Sequence, residues 1–348
     1  MEETPRMNAD TRTRHFKGTA YEIGVAKGQA LGARLEQNIH TYLQKRPENP
    51  SMSNIEKLKT GALTWLTGLP PRFQEEYYGL AEGAHLPLQT IAEWAYLDEF
   101  LDLRCSAFIC TLDGHAWVGR NNDINVPELW GYLTIQEVAE RIPTINFCME
   151  GDVVTPTGIN QERLWLHYNF LLAEDKPRVG KPHMPAFVLL TDMLETCETL
   201  MDVEESLALN DRDGGMMLFA VDGKTDEYAI YECSCSQVFK RTPAQGWLVG
   251  TNHFCNRPLP EGYQNSKLRE ELLARMTERL VNRQGEISYP EDLIASLADG
   301  RIEAHRENWW TVYANVACPA EKQVWYTFGG YPAASQGKWQ LIDWPWQD

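Results

Sequence analysis

The chain has 348 residues, of which 43% are apolar, and its formal net charge is −17 at pH 7. This apolar content supports a packed core and excludes a disordered chain, while the negative charge excludes a nucleic-acid binder that relies on a basic surface. No run of about 18 apolar residues predicts a membrane span, and the N-terminal residues lack the apolar core of a secretory signal. We therefore expect a cytoplasmic protein without a nucleic-acid or membrane partner.

The first hundred residues are predicted to be helical. Thr19 and Glu22 have the spacing of a capping box, in which a hydroxyl and a carboxylate satisfy the free amides at a helix start. Apolar residues then recur at helical spacing, at Ile23, Leu31, Leu35, Ile39 and Leu43. After a Pro-Pro pair, residues 72–83 and 88–103 continue the helical pattern.

At Cys105 the pattern changes from helix to strand. The runs CSAFICTL and HAWVGRNND flank the dipeptide Asp113-Gly114, the strongest short-range signal for a β-hairpin. Since a hairpin folds its second strand back beside the first, Arg120 and Asp123 should return to the neighbourhood of Cys105. A guanidinium there favours the thiolate and would lower the pKa of the cysteine below its usual value of about 8.5.

The rest of the chain is predicted to mix strands with two helical blocks. The helices cover residues 187–209 and 266–281. The strands cover residues 132–138, 144–149, 163–170, 216–221, 227–233, 310–317 and 323–328. A helical segment followed by a mixed region of this kind indicates the α+β class.

Several motifs together resemble a known family. The run RCSAFICTLDGHAWVGRNNDI resembles the start of the catalytic chain in cysteine N-terminal-nucleophile (Ntn) hydrolases. Within them it is most similar to the isopenicillin N acyltransferase and carcinine hydrolase group, with bile-salt hydrolases and penicillin V acylases as relatives. Three later motifs follow in the family's order: TGINQERLWLHYNFL, TNHF at 251–254 and SKLR at 266–269. FKGTAYEIGVAKGQAL and YGLAEGAHLPLQTI are similar to its N-terminal pro-segment.

The resemblance implies a four-layer αββα sandwich of the Ntn type and two parts of the chain. Residues 1–104 would form a helical pro-segment, cut from the catalytic region 105–348 between Arg104 and Cys105 but still associated with it. Cys105 would attack an amide carbonyl to form an acyl-thioester, and its freed α-amine, with a pKa of about 7.7–8.0, would act as the base. Such a self-processing amidohydrolase or acyltransferase acts on a small N-acylated amine or amino acid and needs no cofactor and no metal.

Five further residues receive roles from the same resemblance. Arg120 would tune the thiol, and Asp123 would orient the α-amine. Asn169 matches an asparagine that donates into the oxyanion hole, a contribution of about 3–4 kcal/mol. Asn252 matches a second asparagine near the active centre. Arg269 matches a charged residue that holds this asparagine in place.

Arg104 leaves a different function open, since members of the acyltransferase group often carry glycine before the nucleophile. An uncut chain would lack the free α-amine and would be a binding or scaffold protein. The sequence is also compatible with a phospholipase-B-like lipid amidase and with a papain-type dyad of Cys105 with His253. Hydrolysis is favoured over acyl transfer because water always competes as the acceptor. The negative net charge favours an amine-bearing substrate, and the resemblance leaves open whether the chain forms a homo-oligomer.

Overall fold

The computed structural model describes residues 12–45, 55–98, 104–306 and 309–347. The last residues of the predicted helix 88–103 and the first residues of the pro-segment 1–104 lie outside these ranges. The α-helices of the described chain are α1 (Ala20–Leu31), α2 (Ala33–Lys45), α3 (Ile55–Gly68), α4 (Pro71–Ala84), α5 (Leu88–Asp98), α6 (Ala186–Thr196), α7 (Leu200–Leu209), α8 (Gln264–Asn282), α9 (Glu291–Leu297) and α10 (Ala333–Gln336). None of these described helices is both long and apolar enough to span a membrane.

The strands form two large sheets and one short pair. They are β1 (Thr13–Gly18), β2 (Ser106–Leu112), β3 (His115–Ile124), β4 (Trp130–Val138), β5 (Thr144–Met149), β6 (Thr157–Asn160), β7 (Leu164–Leu171), β8 (His183–Met184), β9 (Asp211–Arg212), β10 (Gly215–Asp222), β11 (Glu227–Cys233), β12 (Val238–Arg241), β13 (Trp247–Gly250), β14 (His305–Arg306), β15 (Trp309–Cys318), β16 (Gln323–Phe328) and β17 (Lys338–Leu341). The first sheet has eight strands in the order β1-β4-β5-β6-β7-β10-β11-β12, and β8 pairs with β9 alone.

The first strand, β1, lies in a segment that the sequence pattern predicts to be entirely helical. It forms the edge of the eight-stranded sheet, and its side chains alternate between exposed and half-buried positions. Such a strand carries too few apolar residues to be recognised by its pattern. It pairs in parallel with β4, with Thr13 opposite Leu133 and Gly18 opposite Val138. The N-terminal segment therefore shares a sheet with the later part of the chain.

The second sheet contains the predicted hairpin. Its main path runs β13-β2-β3-β15-β16-β17, and β14 pairs with β15. The β2–β3 hairpin is confirmed, with Asp113 at φ 51° and Gly114 at φ 90° in its turn. A positive φ at both central residues is what the favoured two-residue hairpin turn requires. The register sets Ala107 opposite Arg120, so Cys105 lies beside the end of β3.

The two sheets pack face to face, and each carries helices on its outer side. Along β2, Phe108 packs with α8 and α9, whereas Ala107 faces the core between the sheets. In the eight-stranded sheet, Thr157 accepts a hydrogen bond from Arg120 of the opposite sheet, while the adjacent Gly158 faces α6. This alternation, which follows from the period of two in a strand, confirms the predicted α+β class and the four-layer αββα sandwich.

The helices α1 and α4 of the N-terminal segment approach each other through glycines. A Cβ atom at Gly24 would lie 2.1 Å from the carbonyl oxygen of Glu76, and one at Gly79 would lie 2.1 Å from that of Tyr21. Real Cβ atoms do not come this close to backbone oxygen, so any larger residue would push the two helices apart.

Two helix starts follow the capping rule. The predicted box of Thr19 with Glu22 is confirmed at the start of α1. The predicted helical block 187–209 consists of two helices, because α6 ends early and a second capping box, Thr199 with Asp202, begins α7. The spacing of this second box is present in the sequence, but the apolar pattern running across it obscures the break.

Candidate active site

Cys105 lies directly before β2, and its side chain is fully buried. The residue before it is held in line with the sheet, since the backbone N–H of Arg104 donates to the carbonyl oxygen of Asp123 at 3.1 Å. Arg104 is an exposed residue, and its guanidinium carbon lies 5.3 Å from the ring centre of Trp309. The hairpin therefore brings the Arg104–Cys105 peptide and the end of β3 together.

Arg120 is the charged group next to the sulfur. Its Nη2 lies 3.5 Å from Cys105 Sγ, as the hairpin predicts, and donates to Asn122 Oδ1 at 2.8 Å. Burial raises the pKa of the Cys105 thiol, and it outweighs the opposing charges of Arg120 and Arg269. The expectation of a lowered pKa is therefore wrong for the uncut chain, in which the thiol is neutral at pH 7.

The guanidinium of Arg120 is held by residues of both sheets. Its Nη1 donates to the hydroxyl of Tyr313 at 2.9 Å and to Thr157 Oγ1, and its Nη2 donates to the carbonyl oxygen of Tyr168 at 2.7 Å. Hydrogen bonds from an ionised donor are stronger than those between neutral groups. The positive charge therefore stays beside the sulfur, at the interface of the two sheets.

Asp123 is the next-to-last residue of β3 and is almost completely buried. Thr311 Oγ1 donates to its Oδ1 at 2.6 Å, and Arg269 Nη1 lies 4.0 Å from its Oδ2. Burial raises the pKa of Asp123 to about 7, although the charge of Arg269 and the hydrogen bond from Thr311 oppose this. At neutral pH this carboxyl group can therefore both hold and release a proton.

Arg269, on the first turns of α8, joins three parts of the site. Its Nη1 donates to the backbone carbonyl oxygen of Cys105 at 2.8 Å, and its Nη2 donates to Asn252 Oδ1 at 3.0 Å. Ser266, one turn earlier, accepts a hydrogen bond from the backbone N–H of Asn252 at 2.9 Å. In the motif SKLR at 266–269, Ser266 thus contacts the loop after β13, and Arg269 contacts the start of β2.

The side-chain amide of Asn169 contacts the backbone at the end of β13. Its Nδ2 donates to the carbonyl oxygens of Gly250 at 3.3 Å and Thr251 at 3.1 Å, so both amide hydrogens are engaged. Its Oδ1 is buried without a hydrogen-bond partner. The structure therefore brings Cys105, Arg120 and Asp123 together, joins them to Asn252 through Arg269, and sets Asn169 against the end of β13.

Three polar residues of the site cannot be recognised as functional candidates from the sequence. Asn122 lies between Asn121 and Asp123 in the run GRNND, and its Oδ1 is 3.6 Å from the sulfur. Thr311 and Tyr313 reach the site from β15, nearly two hundred residues away, and no local pattern marks them. Only the pairing of β15 with β3 makes them neighbours.

His253 does not form the papain-type dyad with Cys105. Its Nδ1 lies 2.9 Å from Ser266 Oγ, and its Nε2 lies 3.2 Å from Glu270 Oε2. The imidazole is therefore held by residues of α8 rather than by the sulfur. A papain-type arrangement would need a direct imidazole–thiol contact.

A cavity of about 470 Å³ opens beside Asp123 and Arg269. Asp123 and Glu303 are the carboxylates in its lining, and Trp309 contributes a ring. Five arginines line it: Arg104, Arg269, Arg275, Arg301 and Arg306. Burial and the neighbouring charges of Arg104 and Arg306 lower the pKa of Arg269, with Asp123 opposing them. This region is locally positive in a protein whose net charge is −17.

A smaller cavity of about 180 Å³ lies on the other side of Arg269. Asn252, Tyr263 and Ser266 line it, together with Arg104. The start of β2 is therefore flanked by one space on the side of Asp123 and by another on the side of Asn252.

The fold is similar to that of several solved structures. A single-residue variant of conjugated bile acid hydrolase from Clostridium perfringens has a TM-score of 0.50 at 10% identity, with 69% of this chain and 97% of that chain covered. Penicillin V acylase from Agrobacterium tumefaciens has a TM-score of 0.49 at 13% identity, with 69% of this chain and 86% of that chain covered. The Caenorhabditis elegans ortholog of N-acylethanolamine-hydrolyzing acid amidase has a TM-score of 0.47 at 14% identity (62% and 93% covered). The first of these similarities identifies the four-layer sandwich as an Ntn-hydrolase fold.

The sequence itself matches a family model over most of its length. The model describes the acyl-coenzyme A:6-aminopenicillanic acid acyl-transferase family and matches residues 110–330. This range contains most of the hairpin, the end of β13 and the whole of α8. The chain therefore belongs to the acyl-coenzyme A:6-aminopenicillanic acid acyl-transferase family.

Proposed function

We propose that the protein is a self-processing cysteine amidohydrolase that cleaves the amide bond of a small N-acylated substrate. Membership in an acyl-transferase family and an Ntn-hydrolase fold support acyl chemistry of this kind. The observation that carries the proposal is the position of Cys105, next to the fixed charge of Arg120 at 3.5 Å and beside the buried carboxyl of Asp123. Water is the acyl acceptor that we favour.

The first step is the cut between Arg104 and Cys105. The thiol adds to the Arg104 carbonyl, the carbon–nitrogen bond breaks, and the acyl group passes from nitrogen to sulfur. Asp123, with a pKa of about 7, gives its proton to the departing nitrogen and takes up the proton that the thiol loses. Water then hydrolyses the thioester, leaving a carboxylate on Arg104 and a free thiol and α-amine on Cys105.

The cut would divide residues 1–104 from residues 105–348 without releasing the first part. β1 stays paired with β4, and Lys27 Nζ donates to the carbonyl oxygen of Asp152 at 2.7 Å and to Gln136 Oε1 at 3.2 Å. The two Lys27 contacts are buried, and they join the pro-segment to the catalytic region far from the cut. We therefore propose a tight complex of the two fragments as the active form.

In the processed protein the α-amine of Cys105 takes the thiol proton, and the thiolate attacks the substrate carbonyl. The same nitrogen then gives this proton to the leaving amine, and water hydrolyses the acyl-thioester. Arg120 stabilises the thiolate, and Asp123 orients the α-amine. Asn169 and Asn252 are the candidate oxyanion donors. In each, a hydrogen bond from Nδ2 to a backbone carbonyl must give way, to Gly250 or Thr251 for Asn169 and to Phe170 for Asn252.

The charge of the larger cavity suggests the kind of leaving group. Because the Cys105 nitrogen must protonate the leaving amine, that amine lies on the side of Asp123, where the arginine-lined cavity opens. We therefore propose that the leaving amine carries an acidic group, as in an N-acyl amino acid. The positive surroundings at this point outweigh the net negative charge, which alone would favour an amine-bearing substrate.

The intact mass of purified protein tests the proposal directly. We expect two fragments that split between Arg104 and Cys105, and a single species of 39.8 kDa for Cys105→Ala. A scaffold protein instead requires one uncut, inactive species for the unaltered chain. Amide turnover by an uncut preparation would contradict the proposed base.

Hydrolysis of N-hexanoylglycine and of its neutral glycinamide analogue by the processed protein tests the leaving group. Arg275 lines the cavity on an exposed part of α8, away from the sulfur. We expect Arg275→Gln to lower kcat/KM for the acid about tenfold, through KM, and to leave the amide unchanged. An equal effect on both substrates would refute an acidic leaving group.

A further inference from the structure

A cluster of three potential metal ligands lies behind Asn252, outside the machinery described above. It consists of His253 and Cys255 on the loop after β13 and Glu270 on α8. Their ligand atoms all lie within 4.8 Å of one another. Cys255 Sγ is 2.9 Å from Glu270 Oε1, and His253 Nε2 is 3.2 Å from Glu270 Oε2.

The three side chains have the donor chemistry of a zinc site. An imidazole nitrogen, a thiolate sulfur and a carboxylate oxygen are the ligands that Zn²⁺ binds in proteins, and three of them leave a fourth tetrahedral position open. Cys255 is the exposed cysteine of the described chain, whereas the other seven are buried. The cluster can therefore be reached by an ion from solvent.

The state of His253 points independently to a ligand. Its side chain is only 4% exposed, and Nε2 faces Glu270 Oε2 at 3.2 Å but makes no well-aligned hydrogen bond. A buried polar atom that lacks a well-aligned hydrogen bond is costly. Nδ1 lies 2.9 Å from Ser266 Oγ, which can accept its proton. In that tautomer the lone pair of Nε2 points into the cluster, as in metal-binding histidines whose second nitrogen is anchored.

The surrounding charges suit a divalent cation. The carboxylate of Glu270 contacts His253, Cys255 and Lys267. Glu232 is a second carboxylate nearby and accepts the backbone N–H of Cys255 at 2.9 Å. The opposing cations are Arg241, which is bound to Glu232, and Lys267, whose Nζ lies 3.0 Å from Glu270 Oε2. The Lys267 side chain is 47% exposed and can turn into solvent.

We propose that His253, Cys255 and Glu270 form a binding site for a thiophilic divalent cation such as Zn²⁺. Binding forms bonds from the metal to Nε2, Sγ and a carboxylate oxygen, and the thiol proton of Cys255 is released to solvent. One thiolate and one carboxylate then balance the charge of the ion. Through Ser266, which contacts both His253 and the backbone N–H of Asn252, the site braces the loop of the candidate active site.

Cobalt titration of the metal-free full chain tests the site, because a Co²⁺–thiolate bond gives a charge-transfer band in the near ultraviolet. We expect this band to saturate at one Co²⁺ per chain and to disappear when Zn²⁺ is added. Cys255→Ser should abolish it, whereas the control Cys105→Ala should retain it. Lys267→Gln removes a competing cation and should tighten binding about three- to tenfold.

The outcome separates this site from adventitious binding. No band at one equivalent of Co²⁺, or a band that survives in Cys255→Ser, would overturn the proposal. Because Cys255 is exposed, its replacement by serine should not disturb folding. A second readout, the increase in Tm on adding Zn²⁺, should be present in the unaltered chain and absent from Glu270→Gln.

Discussion

Replacing Lys27 by methionine removes a cation from the contact between the pro-segment and the catalytic region. Lys27 is 3% exposed and its partner Glu76 is fully buried. Its Nζ donates to Glu76 Oε1 at 2.6 Å, to the carbonyl oxygen of Asp152 at 2.7 Å and to Gln136 Oε1 at 3.2 Å. Methionine has a similar length and shape, so the substitution chiefly removes the Lys27 donor from three buried acceptors.

The expected cost of Lys27→Met is large. Breaking a buried ion pair by removing one partner typically costs about 3–5 kcal/mol. Since Arg72 still contacts Glu76, we expect a value near the lower end of this range. Lys17→Met is the matched control, because Lys17 is 76% exposed and pairs with Glu137 at the surface. An exposed pair of this kind contributes about 0–1 kcal/mol.

Urea unfolding in the uncut Cys105→Ala background measures both costs. If Lys27→Met and Lys17→Met lower the free energy of unfolding equally, the buried ion pair stabilises the chain no more than the exposed one. In the processed protein, where Lys27 joins the two parts through Asp152 and Gln136, gel filtration should show more dissociated pro-segment for Lys27→Met than for the control. A processed Lys27→Met complex as stable as the parent would likewise refute the reasoning.

Three other substitutions test the site and the fold. Asn169→Ala should slow acylation by about 100–1000-fold with an unchanged fragment pattern; a normal rate in stopped-flow assays would remove Asn169 from the oxyanion site. The folded-state pKa of Asp123, about 7, lies above its ordinary value of 3.8, so its stabilising contribution is complete below pH 4 and is lost as the pH rises through 7. Urea unfolding of Cys105→Ala should show this loss, and adding Asp123→Asn should remove it; identical pH profiles would contradict the raised pKa. Gly79→Ala should destabilise the chain by about 1–3 kcal/mol and Gly68→Ala, where a Cβ meets no atom within 4 Å, should not; equal thermal stability would refute the close helix contact.

Local sequence patterns predict the parts of the site that lie on one hairpin. The Asp113-Gly114 turn fixes which residues face each other, so the approach of Arg120 to Cys105 follows from counting along two strands. Thr311 cannot be predicted in this way, because its contact with Asp123 depends on pairing between strands far apart in the chain. The same limit applies to Asn169, whose position against β13 is set by the packing of two sheets.

Burial is the second effect that the sequence does not reveal. Counting residues along the hairpin predicts that a guanidinium lies next to a thiol, and it predicts the sign of the interaction between them. It does not predict that the thiol is removed from solvent, which raises its pKa by more than the guanidinium lowers it. The sign of the net shift therefore depends on the core between the sheets, which only the whole fold creates.

The raised pKa values of Cys105 and Asp123 indicate why cutting the chain would change the chemistry of the site. In the uncut chain a neutral thiol stands beside a carboxyl group with a pKa of about 7, and the Cys105 nitrogen is part of a peptide bond and carries no charge. The cut converts this nitrogen into an amine with a pKa of about 7.7–8.0. Its positive charge would favour both the thiolate and the carboxylate, so Asp123 would change from a proton donor into an anion that orients the amine. One carboxyl group can thus serve the cut in its protonated form and amide cleavage in its ionised form.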